Sequence, residues 1–377
     1  MSYLLSLFLL CLLTLGAAIA RPAKAEELGK ETRPLPVIDM HAHIAGIGAG
    51  GSGCYVSPGL RDNWRYAIYL KAFGVTREEL EREGDRITFE KVSGALEASR
   101  EVDGAVILAL DGVVNEAGEL DLERTEVYIP NEFVARETAR YANLHFGASV
   151  NPYRRDALAR LEQAKADGAV LVKWLPAIQR IDPSDPRLAP FYLKLKELDL
   201  PLLVHTGAER SFSRADHRLG DPQLLRQPLE LGVTVIAAHV ATTGRTDGET
   251  DFDRLLRLFP KYPSLYADIS SLTQLNKLWY LPKVLEHPEI HDRLLYGTDF
   301  PLIETGLLGV KLVSPWYFPF RLGWGQMRGI SGIENPWDRD VALKQALGFG
   351  PGIFTRPASL LKIHRTGEPW HAGPGRF

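Results

Sequence analysis

Cysteine is nearly absent from this chain of 377 residues, which has two, Cys11 and Cys54. If Cys11 is lost with a leader, no intrachain disulfide can form, so an oxidising compartment is tolerated but not exploited. Cys54 lies in a glycine-rich loop and reads as a loop thiol in preference to a soft metal ligand. A charge bias is also missing: 44 basic against 47 acidic residues leave a net charge of -3. That balance gives no support for a nucleic-acid partner, which would need a basic patch. Runs of like charge and internal repeats are absent. What remains, 45% apolar and 24% charged residues, is the ordinary composition of a globular protein.

Charge is most conspicuously absent from the first twenty residues. Leu4 to Ala20 is apolar except for Ser6, Thr14 and Gly16. Ala18-Ile19-Ala20 and Ala23-Lys24-Ala25 both fit a small-x-small cleavage site. Residues 1–25 therefore read as a secretory signal peptide and the protein as exported, periplasmic or secreted. The region before the apolar run, Met1-Ser2-Tyr3, lacks Lys and Arg. The alternative is an uncleaved N-terminal membrane anchor through residues 4–20, near the lower length limit for a spanning helix. A linker, 26–35, follows.

Eight short apolar runs then alternate with amphipathic stretches: Val37–Met40, Gly104–Leu110, Phe146–Val150, Ala169–Trp174, Pro201–Val204, Val233–Ala238, Leu265–Ile269 and Leu294–Tyr296. They lack strict polar alternation, as strands of a buried parallel sheet do. Helical periodicity marks Arg154–Ala166, Phe191–Leu198, Leu224–Leu231 and Phe252–Leu258, with a last helix at Pro357–Ile363. Strands alternating with helices predict βαβ units. Eight units over roughly 260 residues fit an α/β fold of the (β/α)8 TIM-barrel type, with residues 36–363 as the barrel domain and 364–377 as a tail. A doubly wound open sheet is the alternative. Long segments after strands 1 and 8, Ile44–Ala72 and Pro301–Pro336, break the alternation. Both are read as loops covering the mouth of the site, and the aromatic second one could equally serve a homo-oligomer interface.

Polar residues at strand ends favour the barrel, because barrel enzymes place their chemistry there. Strand 1 ends in His41 and His43. Residues two apart on a strand share a face, so both imidazoles can reach one ion. Strand 2 ends in Asp111, strand 3 in Asn151 followed by Arg154, and strand 4 carries Lys173 before Trp174. Strand 5 ends in His205, strand 6 in His239, strand 7 in Asp268 and strand 8 in Asp299. Four of the ten histidines thus stand at three strand ends, with Asp299 closing the ring. That concentration predicts a metal site.

The ordered set His-x-His, His, His, Asp resembles the amidohydrolase superfamily, and within it the amidohydrolase-related (amidohydrolase 2) branch. The stretches Ile181-Asp182-Pro183, Asp185-Pro186-Arg187 and Gly297-Thr298-Asp299-Phe300-Pro301 are similar too. The resemblance implies that His41, His43, His205 and Asp299 bind one divalent ion, zinc by expectation. His239 is then left for catalysis. In binuclear relatives His205 and His239 both hold a second metal, bridged by a carboxylated lysine where Lys173 stands; the single-metal site with a cationic Lys173 is the favoured reading.

The expected function is a metal-dependent hydrolase of a small ester, lactone or amide. A metal-activated water attacks a C–O or C–N bond, Asp299 shuttles the proton, and His239 and Lys173 polarise the carbonyl. The first alternative is a metal-dependent non-oxidative decarboxylase of an aromatic or unsaturated acid, which the same branch resembles. The second is a non-catalytic binding protein on the same fold, which the intact ligand set argues against. Asp111, Asn151, Arg154, Trp174 and Glu209 are the candidate substrate contacts, and Asp268 is read as structural.

Overall fold

The computed structural model describes residues 33–274, 276–303 and 315–364. The expected leader, most of the linker and the tail past His364 lie outside the described residues. Eight parallel strands form one sheet in sequential order: β1 (Ile38–Ala42), β2 (Gly104–Leu108), β3 (Leu144–Ala148), β4 (Leu171–Trp174), β5 (Leu202–His205), β6 (Val235–Ala238), β7 (Leu265–Asp268) and β8 (Leu294–Leu295). The chain just past β8 hydrogen-bonds back to β1: the Asp299 N–H donates to the His41 carbonyl at 2.8 Å, and the His43 N–H to the Phe300 carbonyl at 2.9 Å. The architecture is the (β/α)8 barrel that the alternating pattern predicts.

Helices follow the strands: α1 (Ile87–Glu97), α2 (Asn131–Thr138), α3 (Ala157–Ala166), α4 (Ala189–Glu197), α5 (Arg226–Glu230), α6 (Asp251–Leu256), α7 (Tyr280–Leu285), then α8 (Pro336–Leu347) and α9 (Gly352–Leu361). On α3, Ala157, Leu161 and Ala164 are buried at helical spacing, while Leu158 is 40% exposed. Helix α8 starts at Asn335-Pro336, where the Asn335 side chain accepts from the Trp337 and Asp338 N–H groups and Pro336 needs no partner for a missing donor.

Two buried layers result. Val106, Leu108, Leu171, Leu203, Ile236 and Leu295 pack inside the barrel with Ile38 and Met40. Their odd-even partners, such as Ile107, Val172, Val204 and Ala237, face the helices. Strand β1 breaks this parity. Asp39 pairs with Ala105 and Ala42 with Ile107, so β1 spends one residue more than β2 over the same span. Such a bulge switches the faces of everything beyond it. Ile38 and Met40 therefore point inward, and so do His41 and His43 after the bulge, while Ala42 packs outward.

The segment after β1 is more structured than a plain loop. It holds helices Trp64–Ala72 and Arg77–Glu83, and Tyr55–Val56 pairs antiparallel with Val127–Tyr128 from the connection after β2. The segment after β8 carries a helix, Trp324–Ser331; residues 304–314 of it lie outside the described residues. Among the described residues no helix is long and apolar enough to cross a membrane.

Candidate metal centre

The side chains of His41, His43, Lys173, His205, His239 and Asp299 converge on the floor of a cavity of about 210 Å³ at the C-terminal mouth of the barrel. His43 Nε2 lies 3.2 Å from Asp299 Oδ1 and His41 Nε2 3.5 Å from the same oxygen. His239 Nε2 stands 3.8 Å from Asp299 Oδ2. The His41 ring centre is 5.1 Å from that of His239, which is 4.9 Å from that of His205. His41, His43 and Asp299 each offer a ligand atom within 4.8 Å of the others.

The tautomers of two of these rings are fixed from behind. Asp268 on β7 takes the His41 Nδ1–H at 2.9 Å and the His239 backbone N–H at 2.8 Å. The Ser270 hydroxyl donates to Asp268, so its oxygen can only accept from His239 Nδ1 at 2.8 Å, and the Ser270 carbonyl accepts from that same nitrogen at 3.2 Å. Both protons thus sit on Nδ1, and both Nε2 lone pairs face the cavity, the arrangement by which carboxylates orient metal-binding imidazoles. His41, His239 and Asp268 also form a compact trio, but Asp268 is already committed to the rear nitrogens and serves to hold the rings.

His205 Nε2 is buried with no hydrogen-bond partner among the described residues; Glu209 Oε2 lies 3.5 Å away without forming a hydrogen bond to it. Leaving a buried polar atom unmatched costs about 1–3 kcal/mol, so this lone pair calls for something the chain does not supply. Burial favours the neutral form of His41, His205 and His239. It pushes His205 down to about 4, with Lys173 and Lys277 adding to the effect against Glu209, and holds His239 and His41 below their ordinary value. Burial opposes the charge of Asp299, yet its carboxyl stays well below its usual range, with the bond from His43 among the causes that lower it. Imidazole nitrogens around an ionised carboxylate form the nitrogen and oxygen donor set that zinc takes, and the residues present fit such an ion.

Lys173 is fully buried, its ammonium donating to His41 Nε2 at 2.9 Å, and burial lowers it to about 8. Backbone strain gathers here as well. His239 and Asp299 have φ of 57° and 60°, values that non-glycine residues hold only when their surroundings impose them. Two residues past His205, Gly207 has φ 86°, and an added Cβ would meet the Thr242 carbonyl at 2.3 Å. Only glycine fits that turn.

Of the five expected substrate contacts, Glu209 lines the cavity. The other four turn away from it. Asp111 and Arg154 form a two-pronged buried ion pair, 2.7 Å from Nε to Oδ2 and 2.5 Å from the second nitrogen to Oδ1. Asn151 gives its N–H to Asp111 and its side-chain amide to the Gly112 and Gln179 carbonyls. Trp174 follows the inward Lys173, so strand alternation sends it out against Phe191 and Tyr192. The segment after β1 does cover the mouth, as expected, with Val56, Leu60, Leu70 and the adjoining Phe73 forming an apolar wall; sequence reasoning missed Lys277.

The fold is similar to that of an uncharacterised TIM-barrel protein, Bb4693 from Bordetella bronchiseptica, at 16% identity over 82% of this chain and 99% of that one, with a TM-score of 0.50. Looser likenesses include a suggested 2-pyrone-4,6-dicarboxylic acid hydrolase from Pseudomonas putida, at 16% identity, 87% and 98% coverage and a TM-score of 0.49. Another is the apo form of Metarhizium anisopliae IDCase, at 14% identity, 87% and 97% coverage and a TM-score of 0.48. No curated protein matches the chain. Residues 38–307 match the family described as Amidohydrolase (Amidohydro_2), and with most of the chain covered, the protein belongs to the amidohydrolase family of enzymes.

Proposed function

We propose that this chain is a metal-dependent hydrolase of a small ester, lactone or amide. The observation that carries the reading is the convergence of Nε2 lone pairs from His41 and His239 with the unmatched His205 Nε2 around ionised Asp299. His41, His43, His205 and Asp299 would hold one divalent ion, zinc by the donor set. When bound, such an ion supplies Lewis acidity toward a carbonyl and toward a water molecule.

The chain's own groups do the rest. Asp299, ionised and within reach of three imidazoles, accepts a proton at Oδ2 and returns it to the leaving group. Neutral His239 presents a lone pair and not an N–H, which suits it to take a proton rather than to polarise a carbonyl. That donor role falls to the Lys173 ammonium, which burial makes a strong partner for developing negative charge. The apolar wall keeps bulk water off the reacting centre.

Asp299→Asn tests the reading. It should keep most of its metal and lose turnover by roughly 10³-fold; near-normal turnover would remove the shuttle role. The apolar wall beside two buried lysines also favours a second reading, loss of CO₂ from an unsaturated or aromatic acid. Released CO₂, against acid appearing from an ester, lactone or amide, separates the two.

Export with removal of residues 1–25 is part of the same proposal, supported by the uncharged run 4–20; anchoring through that run is the alternative, and fractionation of expressing cells decides. Exposed Trp279, Phe320 and Trp324 support self-association, which the elution volume on gel filtration tests. A small molecule is the expected ligand.

A further inference from the structure

The cavity holds a cation that the mechanism does not use. Lys277 lies just past β7, is 9% exposed and lines the cavity. Its ammonium has three N–H groups, and one donates to the Ser271 hydroxyl at 2.9 Å. Ser271 itself sits at φ 64°, held in the left-handed region. No carboxylate among the described residues comes within 4.0 Å of Lys277. The nearby acids are committed elsewhere: Asp299 to His43, and Glu209 to the Ser211 N–H at 2.6 Å. Arg210, also on the cavity lining, is exposed and has no hydrogen-bond or ion-pair partner among the described residues.

A buried charge without a partner is costly and persists where something else compensates it. Besides these cations the cavity lining includes the apolar side chains of Val56, Leu70, Phe73, Leu110, Ile129 and Phe212. Such a wall takes an apolar body, while polar groups placed at one point fix its orientation. Cations and hydrocarbon lining one cavity define an amphipathic guest.

We propose that Lys277, with Arg210 at the rim, is a carboxylate-binding subsite, and that the substrate is an apolar, ring-bearing molecule carrying one anionic carboxylate. This rests on the cavity being the substrate site, as the functional reading requires. Lys277 is a specificity residue: it touches the substrate away from the bond that breaks.

The test is binding, so it does not depend on turnover. Dissociation constants for 3-phenylpropionate and its neutral isostere 3-phenylpropionamide are measured by calorimetry, on the whole protein with and without added Zn²⁺. The expected result is that the acid binds the unaltered protein about tenfold more tightly than the amide, as a charge-assisted hydrogen bond allows. Lys277→Gln should erase that preference while leaving the amide constant, the zinc content and the melting temperature in place. Lys277→Arg should keep part of it. Replacing a buried unpaired ammonium by a neutral side chain of similar length is compatible with folding, and Lys277→Met provides a second neutral variant.

An equal constant for acid and amide in the unaltered protein overturns the proposal. So does a preference that survives in Lys277→Gln and Lys277→Met, since the carboxylate would then be held elsewhere, and so does failure of both probes to bind. Failure of the functional reading looks different: no zinc is retained, yet the acid preference and its loss in Lys277→Gln persist in the zinc-free protein.

Discussion

His41 Nδ1 and Asp268 Oδ2 lie 2.9 Å apart, joining β1 to β7 behind the metal centre. The pair sets which nitrogen of His41 faces the cavity. Asp268 also receives the His239 backbone N–H and the Ser270 hydroxyl, so one carboxylate aligns two imidazoles. Asp268→Asn places an amide where two acceptor oxygens are needed. Metal affinity should drop about 10–100-fold, read by competition with a chelator of known affinity. An unchanged affinity would show that His41 is held by packing alone.

Lys173 stands directly before the His41 lone pair. In the single-metal reading, Lys173→Met keeps one equivalent of metal per chain, because the ammonium is no ligand. Turnover should fall by roughly 10²-fold, the scale of losing one donor to a developing oxyanion. Elemental mass spectrometry checks the first half. A fall from two equivalents to one would instead identify Lys173 as a bridge between two ions.

The Asp111–Arg154 pair is a matter of stability. Both side chains are buried, and removing one partner strands the other charge. Arg154→Met should destabilise the fold by about 3 kcal/mol, measured by urea unfolding, with metal content unchanged. A loss of substrate affinity at intact stability would return Arg154 to the pocket.

His145 on β3 carries a pH signature. Burial lowers its pKa from 6.5 to about 4. The unfolded chain therefore takes up this proton near pH 6.5 and the folded chain only near 4. The contribution to stability is complete above pH 6.5, declines as the pH falls toward 4, and stays lost below that. His145→Gln should flatten the acid side of the stability–pH curve across this window. An unaltered slope would mean that His145 is solvated in the folded protein.

Much of this was legible in the sequence, for particular reasons. Apolar runs ending in His or Asp mark strands that deliver polar groups to one end of a barrel, and those runs fall within a few residues of the observed strands. The bulge in β1 was not legible. With Ile38 and Met40 inside, plain alternation sends His41 and His43 outward, and only the pairing with β2 shows the extra residue. Position after a strand also misplaced Asp111, Asn151 and Arg154. Beyond the last ladder bond the chain can turn either way, and these three satisfy one another. Lys277 carried no signal, because its burial depends on the turn at Ser271 rather than on any periodic pattern.

The candidate metal centre lies on the seam where β1 meets the chain after β8. His43 and Asp299 come from opposite ends of the barrel sequence, and the ribosome delivers them in that order. The nascent chain exposes His-x-His long before the aspartate exists, so an ion taken early would be held by histidines alone. The complete trio forms only when the circle of strands closes. An ion held by His41, His43 and Asp299 together therefore requires that the circle of strands has closed.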